Sequence, residues 1–391
     1  GIQSVDAQAH LSAINDRKNK LIKEFADYRI EQLNSPRFTL IEERAQFISP
    51  HEIQIGNKLL KARSFIIATG SVIANYSVPG LKETGFVTSD DILKMREAPD
   101  SIIVLGAGAV AVELAQFLLR IGVKVTLLQR SEHILSKGDE DLAKPVESRF
   151  REEGMDLYTG TKILRAEKKP EGSVIYFEHE GKEKKVRAQY ILQALGRRPN
   201  IDNLQLESAK IETQKSCIPV DSKMKTNQPH IYAVGDVNGI HEVVHIAIQQ
   251  GEIAGYNAIN SENERELDNR LKASVVFTDP GVASVGLSEK ECQANNIAYL
   301  AASYSFDDHG KSMCLGEKHG HVKLLCNPVS GEVIGGHIVG PEAGELIHEL
   351  ITLMHFRGTV KDMLAIPHYH PTLAEILTYP AEELFDKLLS S

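Results

Sequence analysis

Residues 102–113 read Ile102-Ile103-Val104-Leu105-Gly106-Ala107-Gly108-Ala109-Val110-Ala111-Val112-Glu113. A continuous apolar run enters G-x-G-x-x-A and leaves as a helical pattern, which predicts a buried strand, a tight turn and a helix over 109–121. Gly106 permits the sharp turn, and Gly108 lets the backbone approach a pyrophosphate. Ala111, in place of a third glycine, still allows close helix–strand packing. The helix start offers unpaired N–H groups and the positive end of its dipole to the phosphates. Val123-Lys124-Val125-Thr126-Leu127-Leu128 supplies the second strand, so residues 101–130 form a βαβ unit with dinucleotide-binding character. An NAD site usually places an acid about 20 residues on, at the ribose 2′-hydroxyl. Here Gln129 and Arg130 stand at that strand end. An arginine suits a 2′-phosphate, so the reading leans to NADP, with Glu132 weakening the field and NAD left open.

The rest of the chain fits a globular protein around this unit. It has 391 residues, 42% hydrophobic and 25% charged, enough for a large core in two or three domains. The net charge of −9 argues against a general nucleic-acid footprint. No apolar run approaches the ~18–20 residues that span a bilayer. Gly1-Ile2-Gln3-Ser4-Val5 lacks Met, and neither a signal peptide nor a myristoylation site fits it. Cys217, Cys292, Cys314 and Cys326 form no close pair, which suggests free thiols in a reducing cytoplasm. His309, His319 and His321 show no ligand spacing, and no metal is expected.

Residues 8–32 carry Leu11, Ile14, Lys18, Leu21, Ile22, Phe25 and Tyr28 near a 3.6-residue period, a helix. Strands are expected over 38–47, 52–60 and 64–70, with a loop around Pro79, Gly80 and Gly85. Ser173–Phe177 faces Lys184–Val186 across Glu180-Gly181 as a solvated hairpin. A strand over 190–194 runs into Gly196-Arg197-Arg198-Pro199. Another over 231–234 runs into Gly235-Asp236, before a helix over 244–259. Residues 261–269 read as a linker. Strands at 273–277, 281–286, 321–327 and 331–339 follow, then helices near 342–357 and 372–390.

Thr226-Asn227-Gln228-Pro229-His230-Ile231-Tyr232-Ala233-Val234-Gly235-Asp236 is a second strand-to-turn element. It sets a carboxylate where sugar-like hydroxyls can bind at a strand's carboxyl end. An Asp capping the following helix is the plainer alternative. With this element the chain resembles the pyridine nucleotide–disulfide oxidoreductase family, in which T-x-x-P-x-I-Y-A-x-G-D closes the FAD site. The resemblance covers the whole length. It implies that Asp236 holds the flavin ribityl chain. Ala68-Thr69-Gly70 corresponds to the family's A-T-G segment of the FAD domain. Gly196 and Arg197 open a G-R-x-P-N turn, its arginine near the nicotinamide nucleotide. His245 and Ala247 lie at a helix start whose N–H groups face the flavin. Glu113 matches a glutamate near the nicotinamide that pairs with a lysine following the redox cysteines. Phe277–Gly286 matches the opening of the dimerisation domain, implying a homodimer.

Pro367-His368-Tyr369-His370-Pro371-Thr372-Leu373-Ala374-Glu375 carries the chemistry. Pro371 should hold His370 extended and begin a helix, and Glu375, one turn on, can return to the imidazole. A carboxylate fixes a histidine's tautomer and raises its basicity for acid–base work, which thiol–disulfide exchange needs. Within the family, H-P-T-x-x-E implies that His370 is the catalytic base and Glu375 its orienting acid, serving the other subunit's disulfide. H-x-H-P-T is similar to the dihydrolipoamide dehydrogenase branch, with glutathione reductase the nearer alternative and His368 structural or substrate-lining. Mercuric reductases end in a cysteine pair, whereas this chain ends Leu388-Leu389-Ser390-Ser391, which speaks against mercury chemistry.

The family's opening G-x-G-x-x-G, its ribose acid and its C-x-x-x-x-C are not found in the sequence. The expectation is therefore an N-terminally incomplete member that cannot run the family reaction by the usual route; a non-catalytic nucleotide-binding and dimerisation module is the other reading. The fold expected is α/β: two Rossmann-like nucleotide-binding domains, the FAD part truncated and the NAD(P) part inserted, plus an α+β C-terminal dimerisation domain. The boundaries are 1–88 with 210–268 for FAD, 89–209 for NAD(P) and 269–391 for dimerisation. Cofactors would be FAD with NAD or NADP, and the substrate a small-molecule or protein-bound dithiol or disulfide, with no nucleic acid or membrane partner.

Overall fold

The computed structural model describes residues 8–74 and 76–390; the Gly1–Val5 opening lies outside them. The chain forms two compact units from interleaved segments. One takes the described residues of 1–17, 76–195 and 273–391, and the other those of 18–75 and 196–272.

In the first unit the apolar run becomes the strand Ser101–Leu105, the turn is Gly106–Gly108, and the helix is Ala109–Arg120. The return strand Lys124–Leu128 lies parallel to the first, register Ser101↔Lys124 through Leu105↔Leu128. Tyr190–Gln193 and Asp156–Tyr158 flank them, also parallel. A parallel sheet carries helices on its faces, so its strands are apolar on both sides; Ile102, Ile103, Val104 and Leu105 are each 0% exposed. The 168–186 hairpin forms as Gly172–His179 against Lys182–Ala188, with Ile175↔Val186 and Phe177↔Lys184. It is less solvated than its charges suggest, because Val174, Ile175 and Phe177 are buried in the core.

The same unit holds a five-stranded antiparallel sheet: Ala273–Val276, Gly281–Gly286, Val333–Gly340, His321–Cys326 and Leu300–Ser305, in that spatial order. Leu300–Ser305 is a strand the sequence reading missed, its small and polar residues giving weak alternation. The final helix is Thr378–Ser390, preceded by a 3₁₀ turn over Ala374–Leu377. Pro371 therefore does not begin a helix; it stands in a bend, joined to His370 by a cis peptide.

A buried lysine fastens the two sheets' segments. Lys323, 2% exposed, reaches Asp139 (2.7 Å), Asp141 (2.8 Å) and Glu289 (3.1 Å). Asp139 also accepts N–H bonds from Glu289 and Lys290, at 3.1 and 3.0 Å. Burial opposes charge on all of these groups. The ion pairs outweigh it, together with His321, whose Nε2 lies 3.4 Å from Asp141, holding both aspartates below the usual carboxylate range and raising Lys323.

In the second unit Phe65–Ile67 pairs in parallel with Ile231–Ala233, and Ser71–Ile73 antiparallel with Arg197–Pro199. Residues 38–44 form no strand, and 52–60 is a tight hairpin of Glu52–Ile55 and Lys58–Lys61 turning at Gly56. Around Pro79 and Gly85, in the first unit, a short helix Leu81–Thr84 replaces the expected plain loop. The helix Leu11–Leu33 forms, but only Leu11 and Asn15 on it are buried. Ile22, Phe25 and Tyr28 are 57%, 77% and 58% exposed, so the apolar stripe faces outward. No helix among the described residues is long and apolar enough to cross a membrane.

Candidate nucleotide and acid–base sites

At the glycine turn, Gly106 has φ +97°, a region that favours glycine, and a Cβ there would sit 2.5 Å from the Ala194 carbonyl oxygen. Its N–H donates to Leu128 O at 2.9 Å, tying the turn to the return strand. Gly108 caps the helix in extended conformation and has no atom within 4 Å of its Cβ position. Ala111 is 1% exposed, in the helix–sheet contact. Two consequences follow: the turn is set by backbone sterics, and the helix start is open to a phosphate. Arg130 is exposed at the strand end, its N–H on Gln129 Oε1 (3.1 Å), and it makes no ion pair among the described residues. Glu113 is half-buried. Burial pushes its carboxyl up, while the Phe277 N–H it accepts at 2.8 Å opposes that. Its partner here is thus a backbone amide of the dimerisation segment.

The second unit gathers the residues expected on the flavin side. Asp236 opens a 3₁₀ turn over Gly235–Asn238 just after Ile231–Ala233. Its Oδ2 accepts the Ser71 hydroxyl at 2.6 Å. Arg197 donates to Ser71 Oγ and to the Ser71 carbonyl, both at 2.8 Å. Thr69 Oγ1 donates to Asn200 O at 2.7 Å, and the Asn200 amide returns to Thr69 O at 3.1 Å. Gly70 and Gly196 take φ of +68° and +126°, which lets the two strands approach at this corner. Ala68 and His245 are exposed, and Ala247 is half-buried on the helix Val244–Asn257. Gly235 at φ +74° leaves its Cβ position 3.4 Å from Ala247 Cβ, and its N–H is held by Gln250 Oε1 at 2.7 Å. Ser71 and Gln250 escaped the sequence reading. Each acts through a hydrogen bond to a residue 165 or 15 positions away, and neither sits in a recognisable spacing.

At the C-terminal end His370 Nδ1 lies 2.9 Å from Glu375 Oε2. The imidazole is 80% exposed while the carboxylate is 11% exposed. A buried acid behind an outward ring fixes Nδ1–H toward Glu375 and leaves the Nε2 lone pair facing out. His368 differs. Its Nε2 lies 2.6 Å from Glu349 Oε1 and its Nδ1 2.9 Å from Ile366 O, so both nitrogens are engaged and it braces the loop. Among the described residues no cluster of His, Cys, Asp and Glu could hold a metal, and all four cysteines are free thiols.

The geometry thus consists of a glycine turn at a helix start in one unit, an acid–hydroxyl–arginine corner in the other and an exposed His–Glu pair near the C-terminal end. The family profile "Pyridine nucleotide-disulphide oxidoreductase" matches residues 3–251, and its dimerisation-domain profile matches residues 272–381. The chain belongs to the pyridine nucleotide–disulphide oxidoreductase family. It is 31% identical over 365 residues to a mercuric reductase of Staphylococcus aureus, covering 93% of this chain and 66% of that protein. It is 27% identical over 348 residues to a dihydrolipoyl dehydrogenase of Bacillus subtilis, covering 88% and 75%. The chain thus spans about two thirds to three quarters of these relatives' lengths. Among solved structures, LpdA of Mycobacterium tuberculosis superposes with a TM-score of 0.84 at 25% identity, over 97% of this chain and 84% of that one. The fold is the mixed α/β arrangement expected, nucleotide-binding segments followed by a dimerisation domain.

Proposed function

We propose that the complete protein to which this chain belongs is a dihydrolipoamide dehydrogenase-like flavoprotein, passing electrons between a dithiol or disulfide, FAD and NAD(P), as a homodimer in the cytoplasm, with a redox disulfide that the four cysteines of this chain do not supply. The observation that carries this reading is His370, held by a buried Glu375 with its outer nitrogen exposed. That is the arrangement a thiol base needs, since the thiolate is the species that attacks a disulfide. In dithiol oxidation His370 Nε2 takes the thiol proton, and the Glu375 carboxylate stabilises the resulting imidazolium from the far side. The exposure of the ring suits a sulfur brought to it from outside this chain.

FAD, when bound, would relay the electron pair between sulfur and nicotinamide. The residues present fit the NAD(P) turn and one half of the flavin site. Asp236 offers a carboxylate to flavin hydroxyls, Arg197 and Ser71 orient it, and the start of the helix Val244–Asn257 adds unpaired N–H groups. Gly106 and Gly108 shape the pyrophosphate turn. Arg130, free of an acidic partner among the described residues, favours NADP through a 2′-phosphate. Steady-state assays with lipoamide, oxidised glutathione and mercuric ion test the reading. Preference for lipoamide supports it, preference for oxidised glutathione moves the protein to the glutathione-reductase side, and turnover of mercuric ion alone refutes the dithiol role of His370. Flavin absorbance of the purified chain separates an enzyme from a non-catalytic module.

A further inference from the structure

Behind the His370–Glu375 pair stands a second imidazole. His309 is 0% exposed, and its Nε2 lies 3.3 Å from Glu375 Oε1. Its Nδ1 is 2.9 Å from Ser312 Oγ. The Nε2 atom is buried and makes no aligned hydrogen bond, so the carboxylate oxygen it faces is its electrostatic partner. Glu375 thus presents one oxygen to each ring, Oε2 outward to His370 and Oε1 inward to His309.

An ionised carboxylate only accepts, so each nitrogen facing it carries the hydrogen. With the hydrogen on Nε2, Nδ1 is the acceptor of that tautomer, and the Ser312 hydroxyl can donate to it. The housing is tight. Phe306 and Tyr379 stand edge-on to the ring, with centroids 6.5 and 6.3 Å away. Phe306 is itself seated on Gly340, where a Cβ would come within 2.2 Å of its ring. Ser312 and Phe306 are each 0% exposed.

We propose that His309 is a positioning residue: anchored by Ser312, it fixes the Glu375 carboxylate so that His370 is held as its Nδ1–H tautomer with Nε2 free for a proton. This rests on the dithiol reading of His370, but its test does not need turnover. The ¹⁵N imidazole shifts of His370 at alkaline pH, where the ring is neutral, report the tautomer in the purified 391-residue chain. The wild type should show Nδ1–H in large excess. His309→Phe, which removes the donor but fills the pocket, should move His370 toward the mixture of an unheld imidazole. His309→Gln, whose amide can still donate to the carboxylate, should restore most of the excess. Unchanged His370 shifts in folded His309→Phe overturn the proposal. Should that variant fail to fold, Ser312→Ala replaces it, with the same expected drift and the same overturning result. If the tautomer responds as stated while lipoamide is not turned over, the positioning stands and the substrate reading fails. The converse pattern separates the two in the other direction.

Discussion

Replacing Lys323 by methionine tests how much of the first unit rests on one buried charge. Methionine keeps most of the length and apolar stem, so packing changes little while the ammonium is lost. Lys323 and Asp139 are 2% and 8% exposed, so the variant leaves Asp139 as an uncompensated buried charge. Breaking a buried pair in that way costs about 3–5 kcal/mol. Asp141 and Glu289, at 42% and 33% exposure, can rehydrate, and each adds under about 1 kcal/mol. The sign with pH follows from the shifts. Asp139 and Asp141 are held below their unfolded values, so their contribution is present above about pH 4 and is lost as the pH falls through the folded values. In the variant Asp139 loses its cation and takes up a proton earlier, while Asp141 keeps His321 at 3.4 Å. The gap between the two proteins therefore narrows in acid, by about 1.4 kcal/mol for each unit by which a carboxylate titrates earlier. With no tryptophan in the chain, urea unfolding is followed by far-ultraviolet circular dichroism, at pH 7.5 and pH 4.5. A gap below about 1 kcal/mol at pH 7.5, or an equal gap at both values, refutes the reasoning and makes the cluster a solvated surface feature.

Further expectations concern the nucleotide elements. Gly106→Ala places a Cβ 2.5 Å from Ala194 O at φ +97°, a conformation costing about 1–3 kcal/mol. It should weaken NAD(P)H binding by tenfold or more in a fluorescence titration, with flavin content unchanged. Asp236→Ala should lower bound flavin, read from the 450-to-280 nm absorbance ratio, and also release Ser71 and Arg197. Arg130→Ala should weaken 2′-phospho-AMP by about 1.5–3 kcal/mol, the range of a charged hydrogen bond, while leaving AMP unaffected. Equal losses for both ligands would show that Arg130 does not read the 2′ position.

Much of the architecture was legible because it is local. The run Ile102–Leu105 followed by G-x-G-x-x-A states a strand, a turn and a helix within a dozen residues. Glu375 falls five residues after His370, close enough for its spacing to be read. What escaped depends on distance along the chain. Nothing in the sequence around Lys323 points to Asp139, which the fold brings to it across 184 positions. His309 shows no spacing relation to Glu375, and its ring meets that acid through the fold, between Phe306 and Tyr379 and beside Ser312. The stripe on Leu11–Leu33 obeys helical periodicity, yet periodicity says which residues share a face and not what covers it. Pro371 was misread for a related reason: a proline after an extended residue fits both a helix start and a bend.

The interleaving of the two units also sets an order for synthesis on the ribosome. The first unit is begun before residue 196 and completed only after residue 272, with the whole 196–272 stretch belonging elsewhere. Asp139 must wait for Lys323, 184 residues later, which at about 5–20 residues per second is roughly 10–40 s. Gln116 waits likewise for the Asp279 backbone, 163 residues on. During that interval the parallel sheet around Ser101–Leu105 exists as a nascent chain without the antiparallel sheet, whose Val282 and Val339 belong to the same buried cluster as Val112 and Val125. A chaperone that shields apolar surface on emerging chains would find its longest opportunity there, between the appearance of the glycine turn and the arrival of the fifth strand.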